Sequence, residues 1–270
     1  MNPVTIEENF KFHDIPKFSV SEFNPRSTKY CFLPIVYNEG ERFRAQLLRM
    51  SQRAGLADII IAARESNDGS LESEYLKQQG VRTLLLTKAK GSATAIRMGF
   101  WYALQQGYEG IVLIDGHNKD GVEALPDYLQ KLDEGWDFIQ GSRFIPGGFE
   151  KNTPTMRKWG IRLIMAPLLW IGGGFWYTDG TNGFRGYSRR LLEDSQVEPF
   201  RECFSHFNIQ YYLSYIAPKL KYRVVEIPVS RVYPDDGHVP TKVIGFRQNF
   251  MAFWEMVRTV FGKYDAPRRP

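Results

Sequence analysis

Tyr30-Cys31-Phe32-Leu33-Pro34-Ile35-Val36 is an unbroken apolar run that passes directly into the polar Tyr37-Asn38-Glu39. A run this short, with no alternating polar positions, reads as a strand covered on both faces, as in parallel sheets. The amphipathic residues 41–54 that follow read as a helix, and the pairing then recurs. Strands are expected at residues 59–63, 83–86, 111–115 and 138–141, and helices at 71–79, 93–106 and 122–134. Strand and helix alternating in this way predict βαβ units. The fold class is therefore α/β, a mainly parallel sheet flanked by helices, with amphipathic helices towards the C-terminus.

In open parallel sheets ligands collect at the carboxyl ends of the strands, where loops gather around helix N-termini. Four polar segments follow a predicted strand: Tyr37-Asn38-Glu39, residues 64–70, residues 88–92 and residues 115–120. The first contains no G-x-G-x-x-G fingerprint, which disfavours a dinucleotide-binding dehydrogenase. No G-x-x-x-x-G-K-[ST] run is present either, which removes a P-loop NTPase.

The 270 residues are 43% hydrophobic and 14% aromatic, enough for one substantial core, and no Pro/Gly/Ser-rich linker divides them. The net charge of +5 is unevenly placed: residues 1–150 carry 17 Lys/Arg against 20 Asp/Glu, and residues 151–270 carry 18 against 10. The basic second half has no nucleic-acid-binding motif, so an anionic membrane or a phosphate-bearing substrate suits it better than nucleic acid. Two cysteines, Cys31 and Cys203, have no pairing pattern or metal-ligand spacing, as expected of a reducing compartment. Residues 1–26 hold no signal-peptide-like apolar run, and residues 161–176 are interrupted by Arg162, Pro167 and three glycines. The expectation is a cytoplasmic protein associated peripherally with a membrane.

The loop chemistry centres on Ile111-Val112-Leu113-Ile114-Asp115 and its continuation Gly116-His117-Asn118-Lys119-Asp120. An acid ending a buried parallel strand can hold a divalent cation against a diphosphate, or cap the helix near Gly121; the loop alone leaves both open. Gly141-Ser142-Arg143-Phe144-Ile145-Pro146-Gly147-Gly148 sets an arginine among glycines, suited to phosphate oxygens or to an ordinary ion pair. Asp179-Gly180-Thr181-Asn182-Gly183-Phe184-Arg185-Gly186-Tyr187 repeats small residues followed by an arginine.

These segments resemble the family 2 glycosyltransferases, within them the dolichyl-phosphate mannosyltransferase and polyprenyl-phosphate glycosyltransferase group. The resemblance spans residues 31–243. It is carried by Pro34 to Glu39, Asp68-Gly69-Ser70, Ala95-Ile96-Arg97-Met98-Gly99, Asp115, Gly141 to Gly148, Gly183-Phe184-Arg185 and Glu226-Ile227-Pro228-Val229. It implies a GT-A (Rossmann-like) domain over residues 29–243, between an N-terminal extension (1–28) and a C-terminal amphipathic helix and tail (244–270).

The activity implied is an inverting transfer from a UDP- or GDP-sugar, with Mg2+ or Mn2+, to a polyprenyl phosphate. Carried over position by position, the resemblance makes Asp115, Arg143 and Arg185 catalytic. It puts Pro34, Tyr37, Glu39, Asp68, Ser92, Arg97 and Asp115 on the nucleotide-sugar, Asp115 and His117 on the metal, and Ser142 and Arg143 on the acceptor phosphate. In the loop of residues 231–242, Lys242 is a further candidate for a phosphate contact.

The chain departs from the family at Ala63-Arg64, where two acidic residues are usual, at His117, where an aspartate closes the metal motif, and at Ser92, commonly lysine. These changes motivate a non-catalytic nucleotide-sugar-binding protein as one alternative. Another is transfer to a saccharide hydroxyl, which would need a base such as Asp179 or Asp120. Residues 156–170 mix Arg157, Lys158 and Arg162 with Trp159, Leu163, Ile164 and Trp170, the pattern of a helix in a lipid interface or packed in the protein. A second amphipathic run, residues 243–261, fits either lipid or a second copy in a homo-oligomer.

Overall fold

The computed structural model describes residues 4–5, 14–206, 208–234 and 246–267. The chain forms two compact units, Met1–Asn118 with Phe200–His206, and Lys119–Pro199 with Phe207–Pro270.

The first unit contains strands β1 (Val4–Thr5), β2 (Phe18–Glu22), β3 (Tyr30–Val36), β4 (Asp58–Arg64), β5 (Val81–Thr87) and β6 (Gly110–Asp115), with helices α1 (Gly40–Ser51), α2 (Ser73–Gln78) and α3 (Ser92–Gln105). Within it the strands lie in the order β1-β2-β5-β4-β3-β6. β5, β4, β3 and β6 run parallel, and β2 adds antiparallel to β5. Phe32, Leu33, Ile59 to Ala63, Leu85 and Ile111 to Ile114 are essentially inaccessible, which explains the unbroken apolar runs. Pro34 sits inside a central strand. The β3–β4 ladder pairs Cys31, Phe32, Ile35 and Val36 and skips Leu33 and Pro34, as a residue without an amide hydrogen requires. β2 falls in the segment expected as an N-terminal extension. Its alternating burial marks a half-covered strand too short to stand out in the sequence.

The connection order fixes where a ligand would bind. From β3 the chain passes through α1 to β4 and α2 to β5 on one side, then through α3 to β6 on the other side of β3. The strand order thus reverses between β3 and β6, and their carboxyl ends border the topological switch point.

The second unit holds α4 (Leu125–Asp133), β7 (Phe138–Ser142), β8 (Phe149–Lys151), α5 (Thr155–Gly160), α6 (Ala166–Gly173), β9 (Arg185–Ser188), α7 (Arg189–Glu193), α8 (Asn208–Lys219), β10 (Val224–Pro228), β11 (Ser230–Val232) and α9 (Phe246–Val260). Central β7 pairs in parallel with β10 and antiparallel with β9, and β8 pairs in parallel with β11. Aromatic rings fill its core: Tyr128 lies 4.3 Å from Phe184, and Phe138 lies 5.3 Å from Tyr187. The hydroxyls of Tyr128, Tyr177 and Tyr212 donate to the carbonyls of Phe184, Ser214 and Val197, so the rings are buried without stranding their polar ends.

α5 continues through a π-helical stretch (Ile161–Met165) into α6, the amphipathic run expected near residues 156–170. α6 packs closely on α9: a Cβ on Gly172 would lie 2.5 Å from Val260 Cγ1. Among the described residues no helix is long and apolar enough to cross a membrane.

Candidate active site

At the switch point the loop after β3 turns through Asn38 and Gly40, with φ of 50° and 52°. The loop after β6 begins at the partly exposed Asp115. Gly116 donates its amide to the carbonyl of Ile35 at 3.0 Å, and a Cβ there would lie 2.9 Å from the same oxygen, so the residue after Asp115 has to be glycine. Glu39, 7% exposed, brings Oε2 to 2.6 Å from His117 Nδ1. Buried Gln46 on α1 clamps the loop from beneath. Its Nε2 donates to the Asp115 carbonyl at 2.9 Å, and its Oε1 accepts from the Asn118 amide at 2.6 Å. One turn on, Arg49 donates to Asn118 Oδ1 at 3.0 Å.

A second set of contacts joins the loops after β3 and β4. Asp68 accepts from the Gly40 amide at 2.7 Å, and from the Ser70 amide and hydroxyl. Burial pushes its pKa up, but these bonds outweigh it and hold the carboxyl below its usual range. The Ser66 hydroxyl accepts from the Asn38 amide at 3.1 Å. The Arg64 guanidinium lies over the Tyr37 ring, 3.8 Å from its centroid.

The structure therefore brings together Tyr37, Glu39, Asp68, Asp115 and His117 along adjoining loops, with Pro34 inside β3. Ser92 opens α3. Arg97 is buried and donates to the carbonyls of Asp14 and Phe200, a bracing contact within the first unit.

Among the described residues no group of three or more His, Cys, Asp or Glu side chains forms a ready-made metal site. Asp115 and His117 nevertheless fit an ion that takes its remaining ligands from a diphosphate. His117 Nδ1 lies 2.6 Å from the Glu39 carboxylate, so an ion held by this ring would have to meet Nε2.

In the second unit, Arg143 and Asp179 form a buried fork-to-carboxylate pair. Nε donates to Oδ2 at 2.6 Å and Nη2 to Oδ1 at 2.8 Å, with side chains 1% and 0% exposed. Nη1 lies 3.4 Å from Thr153 Oγ1. Both side chains of the pair are thus turned away from solvent in this arrangement. Buried Ser142 lies 2.5 Å, oxygen to oxygen, from the Thr178 hydroxyl, and Glu226 accepts from the amides of Thr178 and Asp179. Desolvation raises the pKa of Glu226 despite those bonds.

Arg185 is wholly buried and donates to the carbonyls of Asn182, Gln210 and Gly180, tying the 179–184 loop to α8. Arg231 places Nη1 3.1 Å from Asn182 Oδ1 and 3.5 Å from Asp120 Oδ1. Lys242 lies outside the described residues. Sequence reasoning missed Gln46, Arg231 and the bracing role of Glu226. Only Glu226 carried a signal, as part of the Glu226-Ile227-Pro228-Val229 motif.

No family model matches the chain. It is 27% identical over 240 residues to an undecaprenyl-phosphate mannosyltransferase of Micrococcus luteus, covering 84% of this chain and 96% of that one. It is 29% identical over 209 residues to a polyprenol monophosphomannose synthase of Mycolicibacterium smegmatis, covering 72% and 74%. Among solved structures it is similar to glucosyl-3-phosphoglycerate synthase from Mycobacterium tuberculosis. The form with Mg2+ and UDP superposes with a TM-score of 0.60 at 13% identity, over 91% and 86% of the chains. A form of that enzyme with Mn2+, UDP and glucosyl-3-phosphoglycerate gives 0.57 at 13%, over 89% and 81%. The chain is thus a distant homologue of polyprenyl-phosphate mannosyltransferases, and its fold is GT-A.

Proposed function

We propose that this enzyme, a family 2-like glycosyltransferase, moves a sugar from a UDP- or GDP-linked donor to a polyprenyl phosphate at a membrane surface, with inversion at the anomeric carbon. The donor nucleotide is assigned to the loops after β3, β4 and β6, where Tyr37, Glu39, Asp68 and Asp115 converge at the switch point. Asp115 and His117 would hold Mg2+ or Mn2+, whose chemistry is to neutralise the departing diphosphate. Glu39 keeps the His117 ring oriented, and Gln46 and Arg49 fix the loop that carries Asp115. Holding reactants aligned in this way is what accelerates a displacement whose nucleophile needs no activation.

The observation that carries the choice of acceptor is the state of the two carboxylates a hydroxyl acceptor would need as a base. Asp179 is fully buried in its pair with Arg143, and Asp120 is buried beside Arg231. A phosphate oxygen is already ionised near neutral pH and attacks without a base. Ser142, Arg143 and Lys242 are assigned to the acceptor phosphate, with Asp179 holding Arg143 in the resting state.

Membrane contact is assigned to α5, α6 and α9 of the second unit. These helices, the π-helical stretch between α5 and α6 and the residues just beyond α6 and α9 expose Trp159, Leu163, Ile164, Trp170, Ile171 and Trp176, and Phe250, Met251, Trp254 and Phe261. The basic Arg162, Arg258 and Lys263 are exposed on or beside the same helices. A cytoplasmic, peripherally membrane-bound enzyme follows from this reading.

The acceptor is tested by offering polyprenyl phosphate in detergent and, separately, a panel of oligosaccharides to the protein with labelled nucleotide-sugars. Label in the organic phase supports the proposal. Label on the oligosaccharides alone would transfer it to a hydroxyl acceptor.

A further inference from the structure

In the second unit two hydroxyls stand in line between a half-buried carboxylate and the residue that precedes Arg143. Glu226, on β10, accepts from the Thr178 amide at 3.0 Å, from the Thr178 hydroxyl at 2.9 Å and from the Asp179 amide at 3.2 Å. Thr178 Oγ1 lies 2.5 Å from Ser142 Oγ, and Ser142 Oγ accepts from the Phe144 amide at 3.1 Å. Ser142 is inaccessible, so bulk water does not compete at its hydroxyl.

The donors and acceptors available fix the direction of each contact. An ionised carboxylate only accepts, so the hydrogen of the Thr178 hydroxyl is spent on Glu226. Thr178 then offers Ser142 only lone pairs, and the Ser142 hydrogen points to Thr178. With the Phe144 amide on its oxygen as well, Ser142 has no hydrogen left to give. A protonated Glu226 has a hydrogen of its own: it donates to Thr178, Thr178 donates to Ser142, and the Ser142 hydrogen is released. Burial raises the pKa of Glu226 above the ordinary glutamate value, against the amides and hydroxyl that lower it, and the charge of Asp179 adds to the rise. The groups that face this carboxyl are Tyr177, kept a neutral phenol by burial, Asp179 in its pair with Arg143, and the uncharged Gln140, its register partner on β7.

We infer that Glu226 is a positioning residue for the acceptor: its charge holds the Ser142–Thr178 hydroxyl chain in one direction, and its protonation reverses the chain so that Ser142 donates to the acceptor phosphate. The inference rests on the assignment of Ser142 to that phosphate above and deepens it.

The test is the KM for polyprenyl phosphate across about pH 5–8 in the wild type, Glu226→Gln, Thr178→Val and Ser142→Ala. Glutamine turns its amide hydrogens to Thr178 and its oxygen to the backbone amides, as the protonated acid does. Valine keeps the shape of the side chain and removes the hydroxyl that takes up the Ser142 hydrogen. At the alkaline end both variants should therefore have an acceptor KM about 10-fold or more below that of the wild type, the worth of one hydrogen bond to a charged group, and the difference should close towards the acid end. Ser142→Ala should match the wild type at the alkaline end and fall behind it towards the acid end. Titration of the acceptor's own phosphate is common to all and cancels in the ratios, and the donor KM should not follow these changes. A ratio of wild type to Glu226→Gln that stays constant with pH would overturn the inference, as would a higher acceptor KM in Glu226→Gln throughout, which would make Glu226 only a brace for the 178–179 turn. Either result leaves the acceptor reading standing. Failure of the wild type to transfer sugar to polyprenyl phosphate at any pH would remove that reading and the inference together.

Discussion

His117 Nδ1 lies 2.6 Å from Glu39 Oε2, which joins the loop after β6 to the loop after β3 at the point where the strand order reverses. The pairing gives the imidazole a place in a motif where the related family carries a carboxylate. A ring held from one nitrogen presents the other in a fixed direction. Glu39→Gln should therefore weaken Mn2+ binding in the presence of nucleoside diphosphate by about 10- to 100-fold, the usual cost of losing an outer-shell partner. Electron paramagnetic resonance of free Mn2+ measures this without turnover, and unchanged affinity would separate the pair from metal binding.

The Arg143–Asp179 pair makes a prediction about stability. Removing one member leaves an uncompensated charge in a site 0–1% exposed, at a cost of about 3–5 kcal/mol. Arg143→Ala should lower the urea midpoint strongly, and Arg143→Met with Asp179→Leu should recover much of the loss. Additive losses in the double variant would contradict the pairing.

Asp58 links acid stability to the first unit. Burial alone would raise its pKa, but the Ser27 hydroxyl, Tyr108 and the amides of Ser27 and Thr28 all donate to it and hold the carboxyl below the usual carboxylate range. A depressed carboxyl contributes stability that is fully present above its unfolded pKa and is lost as pH falls through the folded one. Asp58→Asn should cost about 1.5–3 kcal/mol at pH 7 and flatten the decline of stability below about pH 4. Unfolding midpoints across pH 2–7 check both parts, and an unchanged acid slope would exclude Asp58 as a source.

The exposed faces of α6 and α9 predict lipid binding. Replacing Trp170, Ile171, Trp254 and Phe261 with serine should reduce co-sedimentation with anionic vesicles at least roughly tenfold, since each buried apolar side chain contributes about 1.5–3 kcal/mol. Nucleotide binding should be unaffected. Vesicle binding equal to the wild type would place these faces elsewhere.

How much of this was legible in the sequence depended on how local the signal was. β3, β4, β5, β6 and β7 announce themselves because a strand buried on both faces is apolar throughout, and the helices between them because their stripes recur at 3.6 residues. β8, β9 and β11 are three or four residues long and carry no such pattern. α8 was missed because it is buried along most of its length and so lacks an amphipathic stripe. At the site, the strand-end residues were legible because the fold places them. Gln46 and Asp115 are 69 residues apart, and Arg143 and Asp179 are 36 apart, so their contacts follow from tertiary packing that no local pattern encodes.

The central claim is tested most directly by sugar transfer to lipid with and without Asp115. Purified protein, a labelled nucleotide-sugar panel, Mg2+ or Mn2+ and polyprenyl phosphate should yield labelled lipid in the organic phase. Chelator should abolish the product, and Asp115→Ala should reduce it at least roughly a hundredfold, about 2.7 kcal/mol of transition-state stabilisation. Wild-type product formation by Asp115→Ala would contradict the account at its centre.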